Sequence, residues 1–341
     1  MATTLPPLPD RPLNICVVGP GAIGGTIAAR LALSEKGTGL GAVSVVARGA
    51  HLNAIRTYGL RVMTPDHPDP VAMPVNAVAN PAELPPQDIV ITALKGHQIP
   101  PMATRLARML APHGRIVTVV NGVPWWYPLP DGTGGYHGAP QVDPGGVLWR
   151  EIGPARAIGA IAYLGASVPE PGLIEVEIEG YLDLGRMPGE DRTDVARVAG
   201  ILRDAGWMIR ETEPFTNSLW TKLFSNCALN SVAAVSRLPS AASMRDPILR
   251  ALAGDIMEEV RAIAAAEGAE IKMSTEKRLD LAERNESFKP STLQDLEKGR
   301  QMELEPIFGA TIAVAHARNV PCPKLELVTA ILRGVQTSIA A

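Results

Sequence analysis

The sequence is poor in aromatic residues and in cysteine, and charge of neither sign dominates it. Phenylalanine, tryptophan and tyrosine make up 4% of 341 residues. Cys16, Cys227 and Cys322 are three in number, far apart and in no CxxC spacing. That excludes a disulfide framework and gives no zinc ligand set, so no metal is expected and a reducing cytoplasm fits. Lysine and arginine total 32 against 35 aspartate and glutamate, a formal charge of -3. Without a basic field, nucleic acid is not expected as a partner. Hydrophobic residues reach 46%, yet no apolar run is long enough to span a bilayer, which removes the membrane from the expected partners. The proline-rich start lacks the basic and apolar regions of a signal peptide, and residues 1–12 read as a flexible tail.

What is present is an alternation of strand and helix. Leu13 to Val18 is an almost continuous apolar run that leads into Gly19-Pro20-Gly21-Ala22-Ile23-Gly24-Gly25 and an alanine-rich helical stretch to Leu33. Further strands are expected at 43–47, 59–63, 88–94 and 115–120, with helices at 50–58 and 99–110. Strands follow at 157–166, 172–178 and 181–184, then a helix carrying Val195, Val198, Ile201 and Leu202, and a strand at 207–210. This spacing predicts a Rossmann-type, doubly wound parallel sheet over 13–213. Residues 123–146 interrupt it with dense proline and glycine around Trp125-Trp126-Tyr127, and read as a long loop. From Pro214 the pattern is helical only: 215–235, 247–267, 274–285, 291–298, 303–318 and 324–336. An all-α domain over 214–341 is expected, with a ligand-binding cleft beside the sheet domain.

Gly19-x-Gly21-x-x-Gly24 places glycines where a tight turn, a close backbone approach and tight helix packing are needed, with the amides of Ala22, Ile23 and Gly24 turned toward a pyrophosphate. The motif is weak alone, but it follows a buried strand and opens a helix. Between Glu35 and Asp66 there is no carboxylate. The acid that would hold the ribose 2′-hydroxyl of NAD is therefore missing, and Arg48 stands in its place, with Arg56 one helix stretch later. This favours NADPH, with Arg48 on the 2′-phosphate; a solvated loop arginine is the plainer reading.

Between Glu213 and Arg237 the only charged residue is Lys222. A helix of that composition is largely buried, and a desolvated lysine is suited to proton transfer. At 100° per residue Lys222, Asn226 and Asn230 share one stripe, beside Leu219, Leu223 and Cys227. The stripe offers one cation and two amides to a carbonyl substrate; a snorkelling lysine with two backbone-capping asparagines is the alternative.

Five blocks in order resemble the ketopantoate reductase family: Gly19 to Gly25, Leu94-Lys95-Gly96-His97-Gln98, Val120-Asn121-Gly122, Trp220 to Asn226 with Asn230, and Pro290-Ser291-Thr292-Leu293-Gln294-Asp295 with Glu303. The resemblance covers nearly the whole chain. It implies NADPH-dependent reduction of a 2-oxo acid, with 2-dehydropantoate leading. Carried over by position, Lys222 is the general acid and Glu303 its acidic partner. Asn226, Asn230 and Ser291 hold the substrate's hydroxyl and carboxylate, and Lys95 and Asn121 lie where nicotinamide meets substrate. Ser291 and Gln294 also fit a helix capping box, and Glu303, among Glu297, Lys298, Arg300 and Glu305, also fits a solvated carboxylate.

Two departures from the family pattern bear on the substrate. The loop 123–146 is expected as a pocket wall that would suit a bulkier 2-oxo acid, or as a lid or a contact with a second copy of the chain. Residues 231–240 lack a further asparagine. Competing readings are a β-hydroxyacid or opine-type dehydrogenase, which would place a glycine-rich turn before the lysine, and a non-catalytic NADP-binding redox sensor, which would not need Lys222.

Overall fold

The computed structural model describes residues 5–34, 39–187, 190–286 and 288–340. Glu35, one end of the carboxylate-free stretch, lies outside them. The chain divides into two compact units, one comprising residues up to Val120 with Val147–Phe215, the other Asn121–Gly146 with Thr216–Ala341. The segment 121–146, expected to interrupt the sheet domain as a loop, thus belongs to the helical unit.

In the first unit β1 (Leu13–Val18) runs into α1 (Ala22–Leu33), β2 (Leu40–Val46), α2 (Gly49–Tyr58), β3 (Leu60–Thr64), β4 (His67–Met73), β5 (Asn76–Val78) and β6 (Gln87–Thr92). Single-turn 3-10 helices at Gly96–Gln98 and Pro100–Met102 precede α3 (Ala103–Met109), and β7 (Leu110–Val119) ends this stretch. Six strands run parallel in the order β5-β2-β1-β6-β7-β10, where β10 is Ala157–Ser167. β1 lies at the point where the strand order reverses, the place where doubly wound sheets bind their ligands. The sheet is extended by β11 (Leu173–Gly185), antiparallel to β10, and by β3, β4 and β12 (Met208–Glu211). The expected Rossmann-type sheet is therefore present, with a mixed half added to it.

Two differences from the sequence reading have local causes. The runs 172–178 and 181–184 form one strand, because β10 pairs with β11 along its length and the register shifts between Tyr163 and Gly165. β4 contains Pro68 and Pro70, which disfavour a strand interior, and it is accommodated at the end of the sheet order. Apolar side chains such as Ile15, Val17, Ile89, Ile91, Val117 and Ile158 are buried and make a continuous core. The N-terminal segment is not loose from residue 5 onward. Leu8 packs on that core, Arg115 donates to the Pro6 carbonyl at 3.3 Å, and Arg11 pairs with the buried Asp88 at 2.8 Å. Residues 1–4 lie outside the described residues.

The second unit holds a two-stranded hairpin, β8 (Leu129–Pro130) and β9 (Tyr136–His137), so it is not purely helical. α4 (Val147–Glu151) and α5 (Thr193–Asp204) belong to the first unit. The helices that follow are α6 (Phe215–Ser236), α7 (Ser240–Arg245), α8 (Pro247–Ala266), α9 (Thr275–Arg284), α10 (Ser291–Glu297), α11 (Ala310–Ala317) and α12 (Pro323–Ala340). The helix expected over 303–318 is broken: Glu305–Gly309 is a π turn that precedes α11. Among the described residues no helix is long and apolar enough to cross a membrane.

Candidate active site

In the first unit the site is made by backbone. Gly19 has a φ of 84°, and its N–H donates to the Val46 carbonyl at 3.2 Å, tying the turn to the end of β2. A side chain at Gly19 would place its Cβ 2.6 Å from Leu94. One at Gly24 would meet the Gly19 carbonyl oxygen at 2.3 Å and Ala93 Cβ at 2.9 Å. Those two glycines are required by the protein's own packing. Gly21 is different, since a Cβ there meets nothing within 4 Å. The space in front of the middle glycine is open to a ligand. Gly21 caps α1 without a side-chain hydrogen bond, and no acidic residue stands in the first turn. The amides of Ala22, Ile23 and Gly24 have no intrahelical acceptor, because helix geometry provides none for the first turn. An uncapped helix N-terminus facing open space suits the pyrophosphate of a dinucleotide.

Arg48 follows β2, is exposed, and has no partner among the described residues. Arg56 differs: its Nε donates to the Ala77 carbonyl at 3.0 Å, so it is committed to backbone. Of the two arginines, Arg48 is the one open to a phosphate. Lys95 is half-buried where β6 gives way to the first 3-10 turn, its N–H donating to the Gln98 side chain at 3.3 Å. One residue here escaped the sequence reading. The Gly172 N–H donates to His51 Nδ1 at 3.0 Å, so Nε2 carries the hydrogen and donates to the Pro20 carbonyl at 2.7 Å. The imidazole pins the glycine turn through its backbone. Nothing in the local pattern around His51 signals this, since its partners lie 31 and 121 residues away.

In the second unit the site is made by side chains. Lys222 and Asn226 are half-buried on α6, and Asn230 is 5% exposed. Asn230 is a buried residue whose side-chain amide makes no hydrogen bond among the described residues. An amide left without a protein partner on a mostly buried residue is available to a ligand or to water. Leu219, Leu223 and Cys227 are buried beside the stripe, as the periodicity predicts.

The π turn gathers segments distant in sequence. The Ile307 carbonyl accepts from Cys227 Sγ at 3.4 Å and from the Thr311 hydroxyl at 2.7 Å, which fixes α6 against it. The Pro306 carbonyl accepts the Val123 N–H at 2.8 Å. A Cβ at Gly122 would lie 2.2 Å from that same oxygen, so only glycine lets the chain after Asn121 lie this close. Glu303 is half-buried just ahead of the turn, as is Glu305, whereas Glu297 is exposed. π turns inside helices recur at functional sites for this kind of rearrangement.

Ser291 is not a capping residue. The cap of α10 is Pro290, with no side-chain hydrogen bond, and the Gln294 side chain donates to the Lys289 carbonyl at 2.9 Å. The Ser291 hydroxyl is exposed and has no partner among the described residues.

The aromatic side chains of the segment are not exposed. Trp125, Trp126 and Tyr127 are 2%, 3% and 0% exposed. Trp220 Nε1 donates to the Tyr127 hydroxyl at 3.2 Å, with the two rings edge-to-face. The hydroxyl in turn donates to Glu267, which Arg318 holds. Burial first, then the Glu267 charge, pushes the Tyr127 pKa well up. The Tyr127 side chain is thus packed within the second unit. Elsewhere His316, Cys322 and Glu326 bring possible ligand atoms within 4.8 Å of one another, but the imidazole and carboxylate are exposed and already joined to each other at 2.6 Å.

A phosphate-type glycine turn on a parallel sheet, followed by a helical unit with a lone lysine on a polar stripe, defines a dinucleotide-dependent oxidoreductase of the Rossmann class. Comparison with known proteins narrows this. Residues 15–189 match the family Ketopantoate reductase PanE/ApbA, and residues 215–336 match its C-terminal part. A 2-dehydropantoate 2-reductase of Mesorhizobium japonicum is 37% identical over 331 residues, 94% of this chain and 97% of that protein. A candidate ketopantoate reductase from Ralstonia solanacearum MolK2, known from its crystal structure, is 29% identical with a TM-score of 0.86, covering 96% of this chain and 99% of that one. D-mandelate dehydrogenase, in its ternary structure with NADH and anilino(oxo)acetate, shares the fold at 17% identity and a TM-score of 0.78, covering 96% of this chain and all of that one. The chain belongs to the ketopantoate reductase family.

Proposed function

We propose that this chain is an NADPH-dependent reductase that converts a 2-oxo acid, with 2-dehydropantoate leading, to the 2-hydroxy acid. The observation that carries the reading is the α6 stripe, where a lysine stands in an otherwise uncharged helix four residues before Asn226 and eight before Asn230, a buried residue whose amide has no partner among the described residues. The nicotinamide, when bound, supplies a hydride. The chain's own residues do the rest. Lys222 Nζ donates a proton to the substrate's carbonyl oxygen as negative charge develops there, so that C2 gains a hydrogen and the oxygen becomes a hydroxyl. Glu303, half-buried and close in sequence to the turn that α6 packs on, restores the lysine's proton. Asn226, Asn230 and Ser291 offer two amides and a hydroxyl to the substrate's polar groups. Lys95 and Asn121 attend the nicotinamide end.

The turn residues Gly19, Gly21, Ala22, Ile23 and Gly24 take the pyrophosphate, and Arg48 takes the 2′-phosphate. The burial of Trp125, Trp126 and Tyr127 takes away the argument for a bulkier 2-oxo acid that the sequence alone provided. The reading includes a cytoplasmic setting, in keeping with three free, buried cysteines, and a homodimer as the assembly.

The test is NADPH oxidation by the purified protein with a panel of 2-oxo acids led by 2-dehydropantoate. Turnover of 2-dehydropantoate above the panel is expected, with NADPH preferred over NADH about tenfold or more and the preference lost in Arg48→Ala, since a charge-assisted phosphate contact is worth about 1.5–3 kcal/mol. Silence across the panel overturns the enzyme reading in favour of a dinucleotide sensor.

A further inference from the structure

Arg278 on α9 is half-buried, and its environment differs from that of the arginines around it. Arg250 is held by Glu276, Asp280 and Glu283, Arg261 by Glu258 and Arg318 by Glu267. No carboxylate among the described residues pairs with Arg278. The acidic residues of its own helix are turned away from it. At 100° per residue Glu276 and Asp280 lie about 160–200° around α9 from Arg278, and both serve Arg250 on α8. Burial pushes the Arg278 pKa down with no anion to raise it again. A partly buried cation without a counter-charge is costly to keep.

Its one side-chain hydrogen bond among the described residues explains the orientation. Arg278 Nε donates to Ser225 Oγ at 2.8 Å. Ser225 lies three residues after Lys222 and next to Asn226, and side chains three apart on a helix have Cβ atoms about 5–6 Å from each other. With Nε held by Ser225, the two terminal nitrogens remain without a partner among the described residues. They form the planar fork that matches a carboxylate in two parallel bonds.

We infer that Arg278 is a specificity-determining residue of this chain that takes the carboxylate of the 2-oxo acid through its two terminal nitrogens, held in place by Ser225. The inference rests on the 2-oxo acid reading above and adds a residue that the local sequence did not mark. It assigns a second cation beside the stripe, since Lys222 is engaged at the carbonyl oxygen and Asn226, Asn230 and Ser291 are neutral.

The experiment compares wild type, R278Q and R278K by steady-state kinetics with 2-dehydropantoate, and by NADPH binding followed through its fluorescence. In R278Q the KM for 2-dehydropantoate is expected to rise about 30- to 100-fold, with kcat changed less than about fivefold and NADPH affinity within about twofold. R278K, which keeps the charge without the fork, should recover only part of the loss. A residue with a merely structural role would instead lower thermal stability and leave KM alone, so a wild-type KM in folded R278Q overturns the inference. If R278Q does not fold, R278K decides: a raised KM supports the inference and a wild-type KM overturns it. If wild type reduces no 2-oxo acid, the enzyme reading has failed on its own. Arg278 is then judged by oxalate. Thermal stabilisation of wild type that is lost in R278K supports an anion site, and no stabilisation of wild type overturns it.

Discussion

The glycine turn of the first unit and the polar stripe of α6 in the second are built from different materials. In the turn, the working groups are backbone amides, and the side chains matter mainly by being absent at Gly19 and Gly24. In the stripe the working groups are the side chains of Lys222, Asn226 and Asn230, and the backbone only spaces them. A backbone site is therefore sensitive to added atoms, while a side-chain site is sensitive to removed ones.

The largest expected effect lies in the stripe. Lys222→Ala should lower kcat about 1,000-fold, the middle of the range for losing a general acid, while NADPH affinity stays within about twofold. Measured kcat within tenfold of wild type would remove Lys222 from the chemistry. Next comes a pair of substitutions within the turn. Gly24→Ala drives a Cβ to 2.3 Å from the Gly19 oxygen and should cost about 2–3 kcal/mol in denaturant unfolding, as overpacking does. Gly21→Ala meets no protein atom within 4 Å and has an unstrained φ of -75°. It should leave stability unchanged and raise the KM for NADPH about tenfold, because the added methyl stands where the ligand's phosphates approach. Equal effects of the two on stability would show that the middle glycine, too, serves packing. The smallest effect concerns the aromatic segment. Tyr127→Phe leaves Trp220 Nε1 without its acceptor and Glu267 with Arg318 alone, and should cost about 1–2 kcal/mol of stability without changing KM for the 2-oxo acid. A changed KM would return this segment to the substrate pocket.

How much was legible in the sequence follows the same division. β1 and α1 fall at Leu13–Val18 and Ala22–Leu33, as the apolar run and the glycines require, since strand burial and turn sterics act over a few residues. The α6 stripe was equally readable, because helical periodicity places Lys222, Asn226 and Asn230 together without help from the rest of the chain. The π turn at Glu305–Gly309 was not. The residues 303–318 carry a helical pattern, and the break depends on the Pro306 and Ile307 carbonyls taking donors from Val123 and Cys227. The aromatic segment misled for a related reason. Proline and glycine mark 123–146 as a loop, and they say nothing about what the loop packs under.

From the sequence alone came the Rossmann-type sheet, the helical second half, the place of the glycine turn, the uncharged helix around Lys222 and the resemblance to ketopantoate reductases. These rest on short-range sterics and on periodicity, which act between neighbours along the chain. Tertiary structure decided that Tyr127 and its two tryptophans are core, that Ser291 does not cap its helix and that His51 holds the Pro20 carbonyl. It also left Arg278 beside Ser225 with no carboxylate among the described residues to pair it. Each of these depends on which distant donor or acceptor reaches a given atom, and that is settled only when the elements pack.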